Sequence, residues 1–327
     1  MLTAELRRAI LAAAGRLDAD PLLRPGPGPG RYASSLPFRL GGPPREAAAV
    51  LAGRLTEEPW IAAAEATGPG YLTVTVTPQA LAGLAVRIPQ AGPACAASDA
   101  LHGRTVTAPA AADLAGHDWP GARTALAAEL TARLAATAGA TLIYAAERSV
   151  VPAPAPLILA PPEPDSLAHA RWYAGPDAVR FALARMPPGA AEPPRAAQIA
   201  RHLITNPAYA VRYAHAAAAA VLRWAAALGS GPAGFWPRQL TAPPELALLD
   251  ALSWLPERVA MAARRGRPDE FAGYLEELAA RTIDTMSTTG FTTISSITSE
   301  RLWLAHAART GLAAGLGLLG LDAPNRL

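Results

Sequence analysis

From residue 165 to the C-terminus, every long segment carries apolar residues at helical spacing, and none shows the strict alternation of a strand. Proline or glycine marks the boundaries of these segments. Long helices are predicted over 203–228, 243–266, 268–286 and 300–321. A polar loop is predicted over 287–299. Four or five antiparallel helices of this kind predict an all-α bundle over residues 166–327.

The helix within residues 203–228 has clear start and stop signals. Asn206 followed by Pro207 is typical of a helix start, since an Asn side chain accepts a hydrogen bond from an unpaired N–H and Pro fits the first helical position. The apolar spacing then continues to Leu228, and Gly229 is predicted to end the helix.

One edge of this helix combines three kinds of side chain. At about 100° per residue, Arg212 and Arg223 fall close together, with Tyr209 and Tyr213 on one side of them and His215 on the other. The edge therefore offers cations, stacking rings and an imidazole. A bundle helix that buries part of its tyrosines explains the same pattern, so the residues alone leave both interpretations open.

Residues 1–90 have the pattern of a small α+β domain. Residues 3–17 are predicted to form a short surface helix, with its arginines off the apolar face. The Pro- and Gly-rich stretch 21–30 is predicted to be a loop. A helix over 43–55 and a β-branched strand within 68–77 complete this domain.

The middle of the chain holds less structure. A helix is predicted over 118–138, and strands over 141–145 and 157–160. These elements amount to little more than one βαβ unit, which takes about 30 residues or more. The chain is therefore predicted to be a multidomain α+β protein, in which residues 91–165 are a short α/β connector between the domains 1–90 and 166–327.

Arginine supplies all of the basic side-chain charge, because none of the 327 residues is lysine. The formal net charge is only +3. Residues 1–90 carry nine arginines against seven acidic residues, residues 91–164 carry four against six, and residues 165–327 carry sixteen against thirteen. The N-terminal and C-terminal parts are weakly basic and the middle is acidic. This charge distribution is compatible with a protein that binds a polyanion through both of its terminal parts.

Cysteine content and hydropathy exclude several classes of protein. Cys95 is the only cysteine, which excludes a disulfide framework and a thiolate metal cluster. No stretch of about 18 uncharged apolar residues is present, and charges interrupt the N-terminal helix pattern, unlike in a signal peptide. We therefore predict a cytoplasmic protein without a membrane span, a metal site or a bound cofactor.

Three C-terminal segments resemble the arginyl-tRNA synthetase family. Residues 175–189, GPDAVRFALARMPPG, are similar to the GADALRYFLLSR-type element of its DALR anticodon-binding domain. Residues 206–216, NPAYAVRYAHA, resemble its NPVYYVQYAHAR run, and the terminal GLGLLGLDAPNRL resembles its GL-LLGI-APERM. Ala210 and Ala217 stand where the family tends to have Tyr and Arg.

The N-terminal end resembles the same family. The segments RYASSLPFRL, PPREAAAVLAGRL and ATGPGYLTVTVTP follow, in this order, the family's GDYASN, NPREIA and VAGPGFINF elements. These elements belong to the additional N-terminal domain of the family. The resemblance therefore covers both ends of the chain.

The catalytic elements of the family have no counterpart here. Family members stabilise the charge that develops on the ATP phosphates with a His-x-Gly-His element and a lysine-bearing KMSKS-type loop. This chain has no lysine, and His102 and His117 are isolated and predicted to be surface residues. Residues 91–165 are too short for the two βαβαβ halves of such a domain. The resemblance thus implies a chain that does not carry out the synthetase reaction.

The resemblance implies two surfaces that contact tRNA. In the family, the helical domain grips the anticodon loop and the N-terminal domain touches the tRNA elbow. At the anticodon end, the candidate residues are Tyr209, Arg212, Tyr213, His215, Arg326 and Leu327, with Leu327 in place of the family's final Met. At the elbow, Tyr71 stands where the family has a base-stacking aromatic, and Thr73 where it has an Asn that reads the base edge.

Three functions follow from these features. The first is a non-catalytic tRNA-binding protein that holds the anticodon loop and elbow of arginine-type tRNA. The second is a tRNA-recognition subunit that works with a separate catalytic chain, either an arginyl-tRNA ligase or a tRNA-dependent transferase. The third is a helical domain that binds another protein and no longer binds RNA. DNA is not predicted as a partner.

Overall fold

A computed structural model describes residues 1–16, 19–109, 114, 116–144, 162–164, 166–190, 192–293 and 297–327. These residues fall into two compact units. Unit 1 consists of Met1–Cys95, Val221–Glu257 and Arg281–Gly311, and unit 2 consists of Ala96–Ala220, Arg258–Ala280 and Leu312–Leu327. Both units therefore combine segments that are distant in sequence. The three-part division at residues 90 and 165 stays a prediction.

The chain is mainly helical, with six short strands among the described residues. The strands are β1 (Leu23–Pro25), β2 (Arg31–Ser34), β3 (Ile61–Thr67), β4 (Tyr71–Val76), β5 (Thr105–Ala108) and β6 (Thr141–Tyr144). The helices in the first half are α1 (Leu2–Ala14), α2 (Pro44–Leu55), α3 (Pro78–Ala82), α4 (Leu84–Ala91) and α5 (Trp119–Thr137). The helices in the second half are α6 (Leu167–Ala174), α7 (Pro176–Arg185), α8 (Ala196–Ile199), α9 (Pro207–Ala227), α10 (Pro243–Ser253), α11 (Leu255–Arg265), α12 (Pro268–Met286), α13 (Thr289–Thr292) and α14 (Ser299–Leu318).

Unit 1 contains an antiparallel four-stranded sheet in the order β1-β2-β4-β3. Strand β4 alternates in the way its sequence predicts, since Leu72, Val74 and Val76 are buried. Tyr71 and Thr73 therefore lie on the other face of this strand. Helix α2 begins at a proline, carries Glu in its first turn and packs against β3 and β4. The predicted helix over 43–55 and the strand within 68–77 are confirmed.

The prediction of a loop over 21–30 was wrong in part. Residues Leu23–Pro25 pair antiparallel with β2 at the edge of the sheet. Proline cannot donate to a ladder, but an edge strand has one side that needs no partner, so Pro25 is tolerated there. Strand β3 was not predicted, because its sequence IAAAEAT carries few of the residues that favour strands.

The core of unit 1 joins the N-terminal residues to the α10–α11 junction. The Tyr32 hydroxyl lies 2.8 Å from Ser253 Oγ, and the Tyr32 ring lies 5.3 Å from the Trp254 ring, centroid to centroid. Thr3 Oγ1 donates to the Ser253 carbonyl at 2.6 Å. Burial raises the pKa of Tyr32 well above its ordinary value, so this hydroxyl stays protonated.

Helix α1 is not the surface helix that its sequence predicts. Arg7, predicted to lie off the apolar face, is only 3% exposed. Its Nη2 lies 3.4 Å from Glu257 Oε1 and 2.9 Å from Asp20 Oδ1. The acidic partner Glu257 is 250 residues away in sequence, so helical periodicity within residues 3–17 carries no sign of this contact.

The helix predicted over 243–266 is broken into α10 and α11 at Trp254. Pro256, in the first turn of α11, has no N–H to continue the hydrogen-bond ladder of α10. The polar segment 287–299 was predicted to be a loop, but it includes the short helix α13 and the first residue of α14.

Unit 2 contains a parallel pair of strands, β5 and β6, that packs against α5. Helix α5 begins after Asp118, whose side chain accepts a hydrogen bond from the Gly121 N–H at 2.8 Å. The predicted helix over 118–138 is confirmed, and the strand predicted over 141–145 is confirmed over its described residues Thr141–Tyr144. Strand β5 was not predicted, and the strand predicted over 157–160 lies outside the described residues.

The sequence predicts no membrane span, no metal site and no disulfide, and the described residues can be compared with each prediction. No helix among them is long and apolar enough to cross a membrane, and they contain no group of three or more His, Cys, Asp or Glu side chains placed to hold a metal ion. Cys95 is a free, buried thiol, and desolvation raises its pKa to about 12. His102 and His117 are exposed, as predicted.

Candidate nucleic-acid interface

The candidate anticodon surface is built on the first half of α9, within unit 2. Asn206 is buried, and its Nδ2 donates to the Ile199 carbonyl at 2.9 Å and to the Arg201 carbonyl at 2.6 Å. These bonds hold the loop before the helix against the helix start. Gly229 has a φ of 73°, the left-handed conformation that favours glycine after a helix end. The predicted helix within 203–228 is confirmed.

Three aromatic rings form a continuous stack at the start of α9. The His202 ring stacks on Tyr209 with centroids 5.4 Å apart and planes 12° apart. Tyr209 in turn stacks on Tyr213 at 5.8 Å and 21°. We call these three residues the ring stack. Tyr213 is 37% exposed and His202 is exposed, so this part of the helix presents ring surface to solvent.

Arg212 lies on the same helix as the ring stack and has an incomplete set of partners. Its Nη2 is 3.9 Å from Asp177 Oδ2, which is an ion pair but beyond hydrogen-bond distance. Its Nε is buried and has no hydrogen-bond partner among the described residues. The Arg212 side chain is 31% exposed, and its exposed part suits a phosphate oxygen that approaches from solvent.

His215 does not face solvent in the way its predicted role requires. It is 3% exposed, and its Nδ1 lies 2.9 Å from the Pro324 carbonyl. The contact fixes the C-terminal segment to α9. In this structure, His215 therefore supports the surface and does not form part of its exposed face.

The C-terminal residues are held by contacts with two helices of unit 2, α9 and α7. Besides the bond to His215, Arg180 Nε donates to the Leu319 carbonyl at 2.6 Å, and Arg180 also pairs with Glu129. Arg326 and Leu327 are exposed and follow Pro324 by only two and three residues. Since a chain spans at most about 3.5 Å per residue, these two candidates stay close to the anchored Pro324. The structure thus brings the candidate anticodon residues to one region of unit 2.

The candidate elbow surface lies in unit 1, at the start of β4. Tyr71 is 37% exposed and meets Phe38, 43% exposed, edge to face with ring centroids 5.0 Å apart. Gly70 precedes Tyr71 with a φ of 136°, and a Cβ at Gly70 would lie 2.6 Å from Pro44 Cβ. Glycine is therefore required for the close approach that positions Tyr71.

Thr73 is less available than an asparagine at this position. Its Oγ1 lies 2.8 Å from Thr67 Oγ1 on the neighbouring strand. A hydroxyl in such a pair has one fewer bond to offer, and it lacks the combined donor and acceptor of an amide.

Two residues of these surfaces were missed from the sequence. His202 lies in the loop before α9, and Phe38 lies in a short 3₁₀ helix, so neither belongs to a periodic segment. Both are large side chains in segments rich in turn residues. Their ring contacts depend on partners seven and thirty-three positions away, which periodicity does not reveal.

A family model and several curated relatives match the C-terminal part of the chain. Residues 211–327 match the family described as the DALR anticodon binding domain. The arginine–tRNA ligase of Clavibacter sepedonicus is 39% identical over 158 residues, which are 47% of this chain and 28% of the ligase. The arginine–tRNA ligase of Renibacterium salmoninarum is 39% identical over 163 residues, which are 47% of this chain and 29% of the ligase.

The fold as a whole is similar to a solved structure. Thermus thermophilus arginyl-tRNA synthetase matches with a TM-score of 0.66 at 15% identity, with all of both chains covered. The predicted α+β fold class and the predicted resemblance are confirmed. The C-terminal half is homologous to arginine–tRNA ligases, and the chain spans less than a third of the length of the curated relatives it matches.

Proposed function

We propose that this protein binds tRNA of the arginine type, with the anticodon loop on the ring stack and the elbow on Tyr71. The observation that carries the proposal is the stack His202–Tyr209–Tyr213, which lies at the start of α9, the helix that continues into the matched segment 211–327, and is exposed at both ends. Sequence-specific proteins recognise RNA mainly in loops, where unstacked bases lie on aromatic rings. The arginine specificity rests on the homology with arginine–tRNA ligases.

The roles of the remaining candidates follow from their geometry. Arg212 contacts a phosphate of the loop, because its cationic side chain is 31% exposed on the helix that carries Tyr209 and Tyr213. Arg326 and Leu327 contact the loop from the C-terminal segment, which His215 positions. Tyr71 stacks on a base at the elbow, while Thr73, engaged with Thr67, reads that base weakly.

The protein is further proposed to bind tRNA without activating an amino acid. The whole sequence has no lysine for a KMSKS-type loop, and none of its six histidines is three positions from another. Purified protein is then inactive in arginine-dependent exchange between ATP and pyrophosphate. Exchange above the protein-free background would contradict the non-catalytic proposal and leave tRNA binding in place.

The homology with ligases supports one alternative. The 158 aligned residues correspond to 28% of the arginine–tRNA ligase of Clavibacter sepedonicus. The alternative is a tRNA-recognition subunit that delivers its tRNA to a separate catalytic chain. A catalytic partner that co-purifies with the protein and aminoacylates tRNA only in its presence would establish this role.

Salt dependence tests whether the phosphate backbone is contacted. For single-stranded RNA, the slope of log affinity against log salt is about −0.7 for each phosphate neutralised, so tRNA affinity measured by filter binding is expected to fall steeply with salt. Arg212→Ala is expected to reduce the magnitude of this slope by about 0.7, the contribution of one phosphate contact. The matched control is Arg104→Ala, which removes an exposed arginine outside the candidate surface. An affinity that is independent of salt would contradict RNA binding.

A further inference from the structure

Helix α14 ends in a Schellman motif, a pair of hydrogen bonds that turns the chain out of a helix. The Leu321 N–H donates to the Leu316 carbonyl at 3.0 Å, and the Gly320 N–H donates to the Gly317 carbonyl at 2.9 Å. Gly320 has a φ of 72°, the left-handed conformation that this motif requires. Leu321 is buried, so the turn is anchored in unit 2. The chain is therefore redirected at one defined point shortly before Arg326.

Two arginines from other helices bond the carbonyls at this helix end. Arg180 Nε, on α7, donates to the Leu319 carbonyl at 2.6 Å. Arg133 Nη1, on α5, donates to the Gly317 carbonyl at 3.2 Å. The last carbonyls of a helix have no partner within the helix and carry partial negative charge, so cationic donors suit them. A Cβ at Gly320 would lie 2.8 Å from Arg180 Nε and 3.0 Å from Arg133 Nη1, so both guanidinium groups lie directly against the turn.

One buried carboxylate holds both arginines. Glu129, on α5, is 8% exposed, and its Oε1 accepts hydrogen bonds from Arg133 Nη2 at 2.8 Å and from Arg180 Nη2. Because both guanidinium groups bond the same oxygen, they lie close to each other, and the carboxylate offsets their mutual repulsion. We call Glu129, Arg133 and Arg180 the C-terminal clamp.

The C-terminal clamp is one of two polar attachments of the C-terminal segment. The other is the contact of His215 Nδ1 with the Pro324 carbonyl at 2.9 Å. Residues 325–327 follow this contact and are exposed. Ordering a terminal segment costs conformational entropy, which contacts of this kind offset. Loss of the clamp therefore loosens the segment at the point where it leaves α14.

From this geometry we infer that Glu129 is a positioning residue for RNA binding. It acts through the two arginines of the C-terminal clamp on the segment that carries Arg326 and Leu327. The inference rests on the proposed function, because it concerns the contact of that segment with RNA. Glu129 lies within residues 91–165, which the sequence predicts to be a connector. Helix α5 thus supports the RNA-binding surface from outside the segment 211–327 that matches the anticodon-binding family.

Hydrogen exchange tests the clamp without RNA. In wild-type protein, the Gly320 and Leu321 amides donate within the Schellman motif and are expected to exchange slowly. Glu129→Ala is expected to speed their exchange by about 10-fold, the equivalent of one lost hydrogen bond to a charged group. Amides in the middle of α14 are expected to keep their rates. Unchanged exchange at residues 320–321 in the folded variant would overturn the inference.

A double-mutant cycle on tRNA affinity tests the positioning role. The variant Arg326→Ala, Leu327→Ala is expected to bind about 10-fold more weakly than wild type, the equivalent of one charge-assisted hydrogen bond. Glu129→Ala alone is expected to weaken binding about 3- to 10-fold, by the same reasoning for a segment that is loosened but still attached. Added to the first variant, it is expected to change affinity by less than about 2-fold, because the side chains through which it acts are gone. A glutamate with only a structural role would weaken both backgrounds by the same factor.

Three further variants complete the design. Glu277→Ala removes an exposed glutamate from α12 in the same unit and is expected to bind like wild type. Glu129→Gln keeps an oxygen that accepts hydrogen bonds and is expected to recover part of the affinity lost in Glu129→Ala. If Glu129→Ala does not fold, Arg133→Ala replaces it in both measurements, because the Arg133 side chain is 39% exposed and still links Glu129 to the Gly317 carbonyl.

The outcomes separate this inference from the proposed function. If tRNA binds and ring-stack variants weaken it, but loss of the clamp weakens both backgrounds equally or neither of them, the positioning inference is wrong and the tRNA proposal stands. If wild-type protein binds no tRNA, the proposed function is wrong and the positioning inference falls with it.

Discussion

Replacing both Tyr209 and Tyr213 with alanine is expected to weaken tRNA binding by about 30-fold or more, because each base stacked on an aromatic ring contributes about 1–3 kcal/mol. The two rings lie 5.8 Å apart, and Tyr209 also supports His202. The double variant therefore removes two rings and the support of the third. Filter binding at a fixed salt concentration measures the change.

Two control variants make this result specific. Tyr209→Phe keeps the ring and is expected to retain most of the affinity. Tyr144→Ala removes a tyrosine that is 70% exposed in the same unit but outside the candidate surface, and it is expected to bind like wild type. Circular dichroism of each variant checks that the helices are intact. Wild-type affinity in the folded double variant would rule out the ring stack as an RNA-binding surface.

Arg7→Met is expected to lower the free energy of unfolding by about 3–5 kcal/mol, because it removes the buried cation that pairs with both Glu257 and Asp20. The side chains of Arg7 and Glu257 are each 4% exposed, so water cannot replace the lost partner. The contact joins α1 to the start of α11. Its loss therefore removes one attachment of α1 to the core of unit 1. Urea unfolding followed by circular dichroism gives the difference in free energy.

The neighbouring arginine provides the matched control for this variant. Arg8→Ala removes an exposed arginine from the same helix and is expected to change stability by about 0.5 kcal/mol or less. The double variant Arg7→Met with Glu257→Leu is expected to recover part of the loss, since the buried carboxylate leaves together with its cation while Asp20 still lacks Arg7. If Arg7→Met is as stable as wild type, the buried pair has no role in holding α1.

The parts of the fold that the sequence predicts are those set by local signals. The Asn206-Pro207 start and Gly229 end of α9, the Asp118 start of α5 and the alternation in β4 all depend on residues close in sequence. The family resemblance added the DALR-type domain, because its motifs recur as short ordered runs. Local chemistry therefore accounts for most of the helices.

The errors share a different origin. Arg7 was misplaced because its partner Glu257 is 250 residues away, and β1 was missed because an edge strand tolerates a composition typical of loops. The division of 243–266 into two helices depends on Pro256, which a continuous apolar pattern conceals. These features depend on contacts and backbone geometry that residue patterns do not contain.

The candidate site was predicted in outline. Tyr209, Arg212 and Tyr213 lie together as expected. His215 is buried against Pro324, so it supports the surface without being exposed on it. His202 was not predicted, since loop residues acquire their neighbours only in the folded chain. The predicted contacts of these residues with RNA stay predictions.

The most direct test of the central claim is the recovery of bound RNA. Purified protein is incubated with total tRNA, and the tRNA retained is sequenced and compared with the input. We expect strong enrichment of arginine-type tRNA, and loss of that enrichment when the Tyr209→Ala, Tyr213→Ala variant is used. A retained population with the composition of the input, or no retained tRNA at all, would contradict the assignment of this protein as an arginine-type tRNA-binding protein.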